Sequence, residues 1–213
     1  MITVLIKSIE GLPDPLIDHE LLSGLSTDRK EKIRQIKNVA DRKRSLAAGL
    51  LLEKMVQDCG VHNPKYEKDE NGKPYIKNAA DLYFNLSHSG AYAVLGYSFR
   101  SKIGIDIQEK KKLRPGVERK ILSDKEKEYV LSLDEEQKKE YLFASWSVKE
   151  SYAKWDGRGI AIDFIKLEPD FHKGVLYDSI LGKKVEFQQI EIATDYVCFI
   201  CSDKREEVRI QYL

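Results

Sequence analysis

The amino-acid sequence predicts an α+β fold built from two similar halves, and three observations predict it. Apolar residues recur at helical spacing in only a few stretches. Strand-like runs alternate with turns over much of the remaining chain. Each half of the 213 residues shows the same coarse order of helices followed by several strands. We expect an N-terminal half at 1–100 and a C-terminal half at 101–213, each with a small, mostly antiparallel sheet packed by helices.

In the N-terminal half, capping and turn signals divide the chain into short elements. Asn71-Gly72 predicts a tight β-hairpin, because both residues accept the positive φ angles of its turn. This hairpin carries Lys73 and Pro74. A turn at Ser87–Gly90 is expected between two further strands. The expected elements are a strand at 2–9, helices at 28–36 and 40–58, the hairpin at 66–76, and strands at 84–86 and 91–98.

The C-terminal half is predicted to hold one long helix and several strands. An apolar strand at 103–107 contains Asp106. Ser123 and Glu126 have the spacing of a capping box, which starts a helix. The long helix follows Asp134 and stops at the glycines after residue 156. Further strands are expected at 164–167, 184–192, 196–201 and 208–213.

The composition excludes several classes of function. The formal net charge is +1, so no whole-molecule field would attract nucleic acid or a membrane surface. No apolar run approaches the length of a bilayer span. The N-terminal run resembles a strand more than a signal peptide, so we expect a cytoplasmic protein. Cys198 and Cys201 should face opposite sides of one strand, which favours core packing over a disulfide or a zinc site.

The stretch Phe143–Gly159, FASWSVKESYAKWDGRG, is the most informative in the chain. Its apolar spacing predicts an amphipathic helix, with Glu150 and Lys154 four residues apart on one face. One interpretation is a surface ion pair above an apolar face, which is common. The other is a carboxylate for a metal ion beside an ammonium group for a phosphate.

Asp106 lies between two isoleucines in a strand that should be buried. A buried carboxylate costs free energy unless it is paired, hydrogen-bonded or bound to a metal. Asp106 shares a face of the strand with Gln108, because side chains alternate with a period of two. Glu150 could complete an oxygen-ligand set, for which Mg²⁺ is the best match. A hydrogen-bonded structural aspartate is the alternative.

Several cations and one loop predict a binding site for anions. Ser87 and His88 lie among small residues and would form an anion-binding turn. A basic cluster on the first two helices is either a solvated face or, with Lys73, a phosphate site; nucleic acid is disfavoured because the cluster lacks aromatic residues. A nucleotide or polyphosphate substrate follows, without a P-loop or Rossmann fingerprint. The cluster comprises Arg29, Lys30, Lys32, Arg34, Lys37, Arg42, Lys43 and Arg44.

Three ordered motifs, FNLSHSG, GIDIQEK and FASWSVKESYAKWDGRGI, resemble the signature motifs of the 4′-phosphopantetheinyl transferases of the longer, Sfp-type class. The resemblance covers nearly the whole chain. It implies a monomer that is a pseudo-dimer of two halves, with the active site between them. It also implies the activity, which is transfer of the phosphopantetheine arm of coenzyme A to a serine of an apo acyl or peptidyl carrier protein, with release of 3′,5′-ADP.

The resemblance further implies roles for single residues. Asp106, Gln108 and Glu150 would bind Mg²⁺, while Lys154 and His88 would contact the pyrophosphate. Glu126 would lie near the acceptor serine. The general base stays open between Glu150, Glu126 and a metal-bound water. The residues implied around coenzyme A are Arg29, Lys32, Arg44, Lys73, Pro74, Ser87, His88 and Lys154.

One position departs from the pattern of the family. Gln108 stands where Sfp-type enzymes often have Glu, and Glu109 should face the opposite side of the strand. We therefore expect weaker metal affinity with activity retained. A weakly active or inactive module that binds coenzyme A or a carrier is the alternative. The basic segment Lys110–Arg114 is either a docking surface for an acidic carrier or a solvated loop.

Overall fold

The computed structural model describes residues 1–111, 116–159 and 162–213 and confirms an α+β fold. Residues 112–114 of the predicted docking segment lie outside the described residues. No helix in the described part of the chain combines the length and the apolar character needed to cross a membrane. The helices are α1 Thr27–Gln35, α2 Val39–Asp58, α3 Glu118–Ile121, α4 Asp124–Leu131 and α5 Glu135–Asp156. The strands are β1 Ile2–Ser8, β2 Tyr66–Lys68, β3 Pro74–Ile76, β4 Tyr83–Ser89, β5 Tyr92–Ser98, β6 Ile103–Glu109, β7 Leu167–Asp170, β8 Val175–Asp178, β9 Lys183–Gln189, β10 Tyr196–Ser202 and β11 Val208–Tyr212.

The strands form two sheets and a separate hairpin. The first sheet has the order β11-β1-β5-β4, the second has the order β6-β10-β9-β8-β7, and β2 pairs with β3. The described pairings are antiparallel apart from that of β1 with β11, which run parallel with Ile2 opposite Val208. Strand β11 therefore belongs to the first sheet, although it lies within residues 101–213.

Strand β4 is longer than the sequence predicts. Ser87, His88 and Ser89 continue the antiparallel ladder with β5. The chain then reverses at Gly90, whose φ is 51° and where an added Cβ would lie 2.3 Å from the Tyr196 hydroxyl. The predicted turn at Ser87–Gly90 is therefore wrong. The small polar side chains of this segment bond to a neighbouring strand instead of to turn amides.

That neighbouring strand is β6, and side chains join it to β4 along the facing edges of the two sheets. Alternate β4 side chains accept hydrogen bonds from alternate β6 amides, so edge groups that backbone pairing leaves free are satisfied. We call this line of contacts the seam. Its three bonds, with their N···O distances, are Ile105 to Asn85 at 3.0 Å, Ile107 to Ser87 at 3.4 Å and Glu109 to Ser89 at 2.9 Å.

Apolar cores lie on both sides of the sheets. Helix α2 covers the first sheet and α5 covers the second, each with a continuous buried face. A third cluster packs the isoleucines of β1 against those of β6 and β10, which holds the sheets together. Cys198 lies in this third cluster and Cys201 lies under α5. The predicted opposite orientation of these two free cysteines is therefore confirmed.

Candidate functional site

Helix α5 lies directly on the backbone of β6. An added Cβ at Gly104 would lie 2.1 Å from the carbonyl oxygen of Ser151, so only glycine allows this approach. The Ser147 hydroxyl donates to the Asp106 carbonyl at 3.0 Å, and Ser151 donates to a β10 carbonyl at 2.8 Å. These small side chains fix the polar face of α5 beside Asp106.

Asp106 is buried at the seam, with 2% of its surface exposed. Its carboxylate accepts hydrogen bonds from the Lys154 ammonium at 2.6 Å, the Ser87 hydroxyl at 3.0 Å and the Gln108 amide at 2.7 Å. Pairing and hydrogen bonding together make the burial of this charge tolerable. All three partners are residues that the sequence singles out, and the structure brings them to one point.

Lys154 reaches across from α5 to both edge strands of the seam. Its ammonium donates to Asp106, to the Ser87 hydroxyl at 2.9 Å and to the Ile105 carbonyl at 3.2 Å. Among the described ion pairs, Lys154 is paired with Asp106 and not with Glu150. The interpretation of Glu150 and Lys154 as an isolated surface pair is therefore wrong.

Glu150 lies half-buried on α5 near the same carboxylate. Burial raises the pKa of Glu150, and the negative charge of Asp106 raises this pKa further, while Lys154 opposes the shift. Two carboxylates are thus close enough to repel each other, with one ammonium beside them. Such a pair would gain electrostatic free energy from a bound cation.

Gln108 and Glu109 are oriented as the strand period predicts. Gln108 bonds to Asp106 on the seam side. Glu109 forms an ion pair with Lys111 at 2.7 Å and lies against Gly90, away from Asp106. Within the described ranges, no group of three or more His, Cys, Asp and Glu side chains is placed to hold a metal. The available ligands are two carboxylates and one amide, which suits Mg²⁺ because this ion commonly keeps several waters.

His88 and Arg44 lie together at the end of β4. The Arg44 guanidinium donates to the Gly90 carbonyl at 2.8 Å and also pairs with Asp41. Loss of solvent around the imidazole lowers the pKa of His88, and the positive charge of Arg44 lowers it further, with a smaller effect from Lys154. His88 is therefore close to both cations. A bound anion here would be stabilised by all three side chains.

Arg29 and Lys32 form a second group of cations, on α1. Partial loss of solvent lowers the pKa of Arg29, which is half-buried, and that of Lys32, which is exposed. The charges of Arg29 and Lys68 lower the pKa of Lys32 further. Neither Arg29 nor Lys32 forms an ion pair with any residue that the structure describes. Like charges held together without a carboxylate are typical of an anion site.

Lys73 is held by backbone carbonyls. Its ammonium donates to the Lys154 carbonyl at 2.6 Å, the Ile103 carbonyl at 3.0 Å and the Trp155 carbonyl at 3.5 Å. Pro74, the first residue of β3, is exposed. The resemblance implies that Lys73 contacts coenzyme A, whereas the structure directs its ammonium to the end of α5.

Glu126 lies in a separate, buried network between α4 and α5. Its carboxylate pairs with Lys149 at 2.5 Å and accepts from the Ser145 hydroxyl at 2.5 Å, the Ser123 amide at 2.8 Å and the Tyr141 hydroxyl at 3.4 Å. The capping box of Ser123 and Glu126 is confirmed. Both carboxylate oxygens have protein partners, so Glu126 is committed to this network.

Sequence reasoning overlooks two of these residues. Lys149 is fully buried and bonds to Glu126 and to the Ile121 carbonyl. The sequence could have predicted this burial, because Lys149 lies four residues after Ser145 on the helix face that carries Val148 and Tyr152. Asn85 secures the seam, but no local pattern distinguishes it from an ordinary strand residue.

Two family models match the chain. The 4′-phosphopantetheinyl transferase superfamily model matches residues 102–201, and the model for the N-terminal part of 4′-phosphopantetheinyl transferases matches residues 18–99. Together they cover both sides of the seam.

Curated relatives agree with these matches. The 4′-phosphopantetheinyl transferase ffp of Bacillus subtilis is 28% identical over 72% of this chain and 69% of its own length. The 4′-phosphopantetheinyl transferase Sfp of Bacillus subtilis strain 168 is 26% identical over 73% and 70%. The 4′-phosphopantetheinyl transferase gsp of Aneurinibacillus migulanus is 27% identical over 95% and 86%. From the two models and these relatives, we conclude that the chain belongs to the 4′-phosphopantetheinyl transferases, in their Sfp-type class.

Proposed function

We propose that this enzyme transfers the 4′-phosphopantetheine arm of coenzyme A to a serine of an apo acyl or peptidyl carrier protein, with Mg²⁺ as cofactor and 3′,5′-ADP as the second product. The observation that carries the proposal is the pair of repelling carboxylates, Asp106 and Glu150, beside Lys154 at the seam. We further propose that the seam is the active site of a pseudo-dimer, with one sheet on either side.

Asp106 and Glu150 would hold the Mg²⁺ ion, with Gln108 as a neutral third ligand. When bound, the ion would neutralise negative charge on the pyrophosphate of coenzyme A. Because Gln108 carries no charge, the site should bind Mg²⁺ less tightly than one with a third carboxylate. The donor chemistry of the three side chains supports the choice of this ion.

The two groups of cations would bind the rest of the nucleotide. Arg29 and Lys32, which have no carboxylate partner in the described structure, suit the 3′-phosphate. Arg44 and Lys154 both act electrostatically on His88, so Arg44 and His88 suit the phosphates nearer the seam. Lys154 would offset the charge that develops on the pyrophosphate as the reaction proceeds.

The transfer forms one bond and breaks another. The serine oxygen would bond to the β-phosphorus of coenzyme A as the bond from this phosphorus to the bridging pyrophosphate oxygen breaks, and 3′,5′-ADP would leave with that oxygen. The serine proton needs an acceptor. Glu150 suits this role by its position, because it is only partly buried and lies near Asp106 and Lys154, whereas the Glu126 carboxylate is enclosed by four partners.

A groove beside α5 would bind the carrier. It has a volume of about 590 Å³, and its apolar residues are Leu122, Val130 and Leu142. Its charged residues are of both signs: Lys111, Lys138, Lys139, Glu118 and Glu135. The resemblance implies an acidic helical carrier, whose carboxylates the three lysines would contact. We expect the enzyme to act as a monomer, because a single chain supplies both sides of the seam.

Mass spectrometry of the carrier tests the proposal. Purified enzyme is incubated with an apo carrier protein, coenzyme A and Mg²⁺, and the carrier should gain the mass of one phosphopantetheine arm. Substituting the acceptor serine by alanine should abolish the gain. The alternative is a module that only binds, which the presence of Gln108 in place of Glu would permit. Such a module should bind coenzyme A or the carrier, but the carrier should gain no mass.

A further inference from the structure

The tip of the β2–β3 hairpin lies over the end of helix α5. Asp69 holds the tip by accepting hydrogen bonds from the amides of Asn71 and Lys73, both at 2.9 Å. An added Cβ at Gly157, the residue that ends α5, would lie 3.9 Å from the Asn71 side chain and 4.0 Å from the Asp69 carboxylate. The hairpin is therefore a close neighbour of the helix terminus.

Lys73 extends from this tip into the junction of α5 and β6. Its three ammonium contacts are carbonyl oxygens, two from the last turn of α5 and one from Ile103 of β6. The last carbonyls of a helix lack partners within the helix, and they carry the negative end of its dipole. The N–H donors of Lys73 therefore satisfy carbonyls that the helix leaves free, and they also bond to the adjacent strand.

A second lysine, Lys102, also bonds to the end of α5 and can be compared with Lys73. Lys102 donates to the Asp156 carbonyl at 3.3 Å and lies over the Trp155 ring. It therefore caps the same helix end from the residue that precedes β6, and its amide donates to Asp203, which follows β10, at 2.7 Å. Lys73 bonds to both α5 and β6, and its hairpin is a third element that neither sheet contains.

The position of this junction bears directly on the catalytic groups. Lys73 bonds to the backbone of Lys154 itself, and Ile103 begins the strand that carries Asp106. Gly104 lies between them at the closest approach of α5 and β6. Movement of the helix along the strand would change the separation of Glu150 and Lys154 from Asp106 together.

We propose that Lys73 is a positioning residue that fixes the catalytic face of α5 against β6, and that its ammonium does not bind a phosphate of coenzyme A. The inference rests on the proposed function in one respect, because it takes Glu150 and Lys154 of α5 to act in the proposed transfer reaction. It replaces the role that the resemblance implies for Lys73.

The test compares Lys73→Met with Lys32→Met, and Lys65→Met serves as the matched control because Lys65 is an exposed lysine of the same hairpin region. Binding of 3′,5′-ADP is measured by calorimetry, and kcat and KM for coenzyme A are measured with an apo carrier. For Lys73→Met we expect kcat to fall about tenfold or more through misplacement of α5, with the Kd of 3′,5′-ADP within about threefold of wild type. For Lys32→Met we expect the opposite split, with the Kd weakened about tenfold.

Hydrogen exchange gives a readout that does not depend on activity. Amides in the last turn of α5 should exchange at least about tenfold faster in Lys73→Met than in wild type or Lys65→Met. If the wild-type protein modifies no carrier, the proposed function fails, while the exchange rates still decide whether Lys73 secures the junction.

Two results would overturn the inference. One is a loss of 3′,5′-ADP affinity in Lys73→Met as large as that in Lys32→Met, which would make Lys73 a phosphate ligand. The other is an unchanged kcat or unchanged exchange at the end of α5. If Lys73→Met does not fold, Lys73→Gln, which retains two N–H donors, is judged by the same measurements and limits.

Discussion

Helix α5 carries two buried ion pairs of nearly equal length in different surroundings. Lys149 and Glu126 lie 2.5 Å apart, with side chains 0% and 6% exposed, and each bonds to further groups of the protein. Lys154 and Asp106 lie 2.6 Å apart, with side chains 27% and 3% exposed, and a second carboxylate, Glu150, stands beside them.

The difference shows that a short, buried ion pair does not identify an active site. The Lys149–Glu126 pair is closed and fully satisfied, so it serves packing between α4 and α5. The Lys154–Asp106 pair opens to solvent on the lysine side and has excess negative charge nearby. Substitutions at the Lys149–Glu126 pair should therefore mainly lower the free energy of unfolding. Substitutions around the Lys154–Asp106 pair should mainly lower kcat.

The largest expected effect is on turnover. Glu150→Ala should lower kcat by about a thousandfold or more, since it removes both a proposed Mg²⁺ ligand and the proposed base. Glu126→Ala should lower kcat much less when assayed as folded protein. Both rates are measured by the mass gain of the carrier. Equal losses, or an active Glu150→Ala enzyme, would refute the distinction between the two pairs.

The next effect is on stability. Lys149→Met leaves a buried carboxylate unpaired and should lower the free energy of unfolding by about 3–5 kcal/mol. Lys154→Met should cost less, because the Lys154 side chain is 27% exposed and that of Lys149 is 0% exposed, so solvent already weakens the Lys154–Asp106 pair. Urea unfolding measures both variants, with Lys65→Met as the control. A larger loss in Lys154→Met than in Lys149→Met would contradict the assignment of the closed pair to packing.

A smaller effect concerns the metal at the open pair. Gln108→Glu adds a third carboxylate beside Asp106 and Glu150, so it should increase the affinity for Mn²⁺, used as a probe for Mg²⁺, by about tenfold. Electron paramagnetic resonance of free Mn²⁺ measures this affinity without any turnover. Unchanged or weaker binding would show that Gln108 does not face the ion.

A last effect, spread over a range of pH, concerns a third lysine. The ammonium of Lys73 is bonded to carbonyls and not to a carboxylate. Burial, and to a lesser degree the charge of Lys102, lower the pKa of Lys73 to about 8, although Asp69, Asp156 and Asp203 oppose the shift. Between this pH and the ordinary lysine pKa of 10.5, the unfolded chain binds a proton that the folded chain lacks. Stability should therefore rise with pH across this window.

The measurement for Lys73 is the difference between wild type and Lys73→Met. The free energy of unfolding is determined at several pH values between 8 and 10.5 for both proteins, which cancels the other titrating groups. As the pH rises, the free energy of unfolding of the wild type should increase relative to that of Lys73→Met. A constant difference would mean that the pKa of Lys73 is not lowered in the folded protein.

The sequence predicts those parts of the site that depend on local periodicity. The spacing of Glu150 and Lys154 on α5, and of Asp106 and Gln108 on β6, decides which side chains share a face, because helix and strand periods are fixed by backbone geometry. The orientation of Glu109 away from Asp106 follows from the same period, and the structure confirms it.

Long-range partners are not predictable in this way. From the sequence alone, Ser87 is predicted to lie in a turn, and only the structure shows that it bonds to Asp106 of β6. Likewise, the sequence predicts that Lys73 is a free cation, whereas the structure shows that its ammonium bonds to the end of α5. The role of Glu126 as a cap is local and predictable, whereas its bond to Lys149 depends on how α4 packs on α5. In each case the decisive neighbour is distant in sequence.

The pairing of β1 with β11 has a consequence for synthesis of the protein on the ribosome. Ile2 is made well before its partner Val208, which lies about 200 positions later in the chain. At roughly 5–20 residues per second, β1 waits on the order of ten seconds or longer for this neighbour. During that time one edge of β1 is open to pairing with other chains. The first sheet is therefore completed only after the whole second sheet has been made.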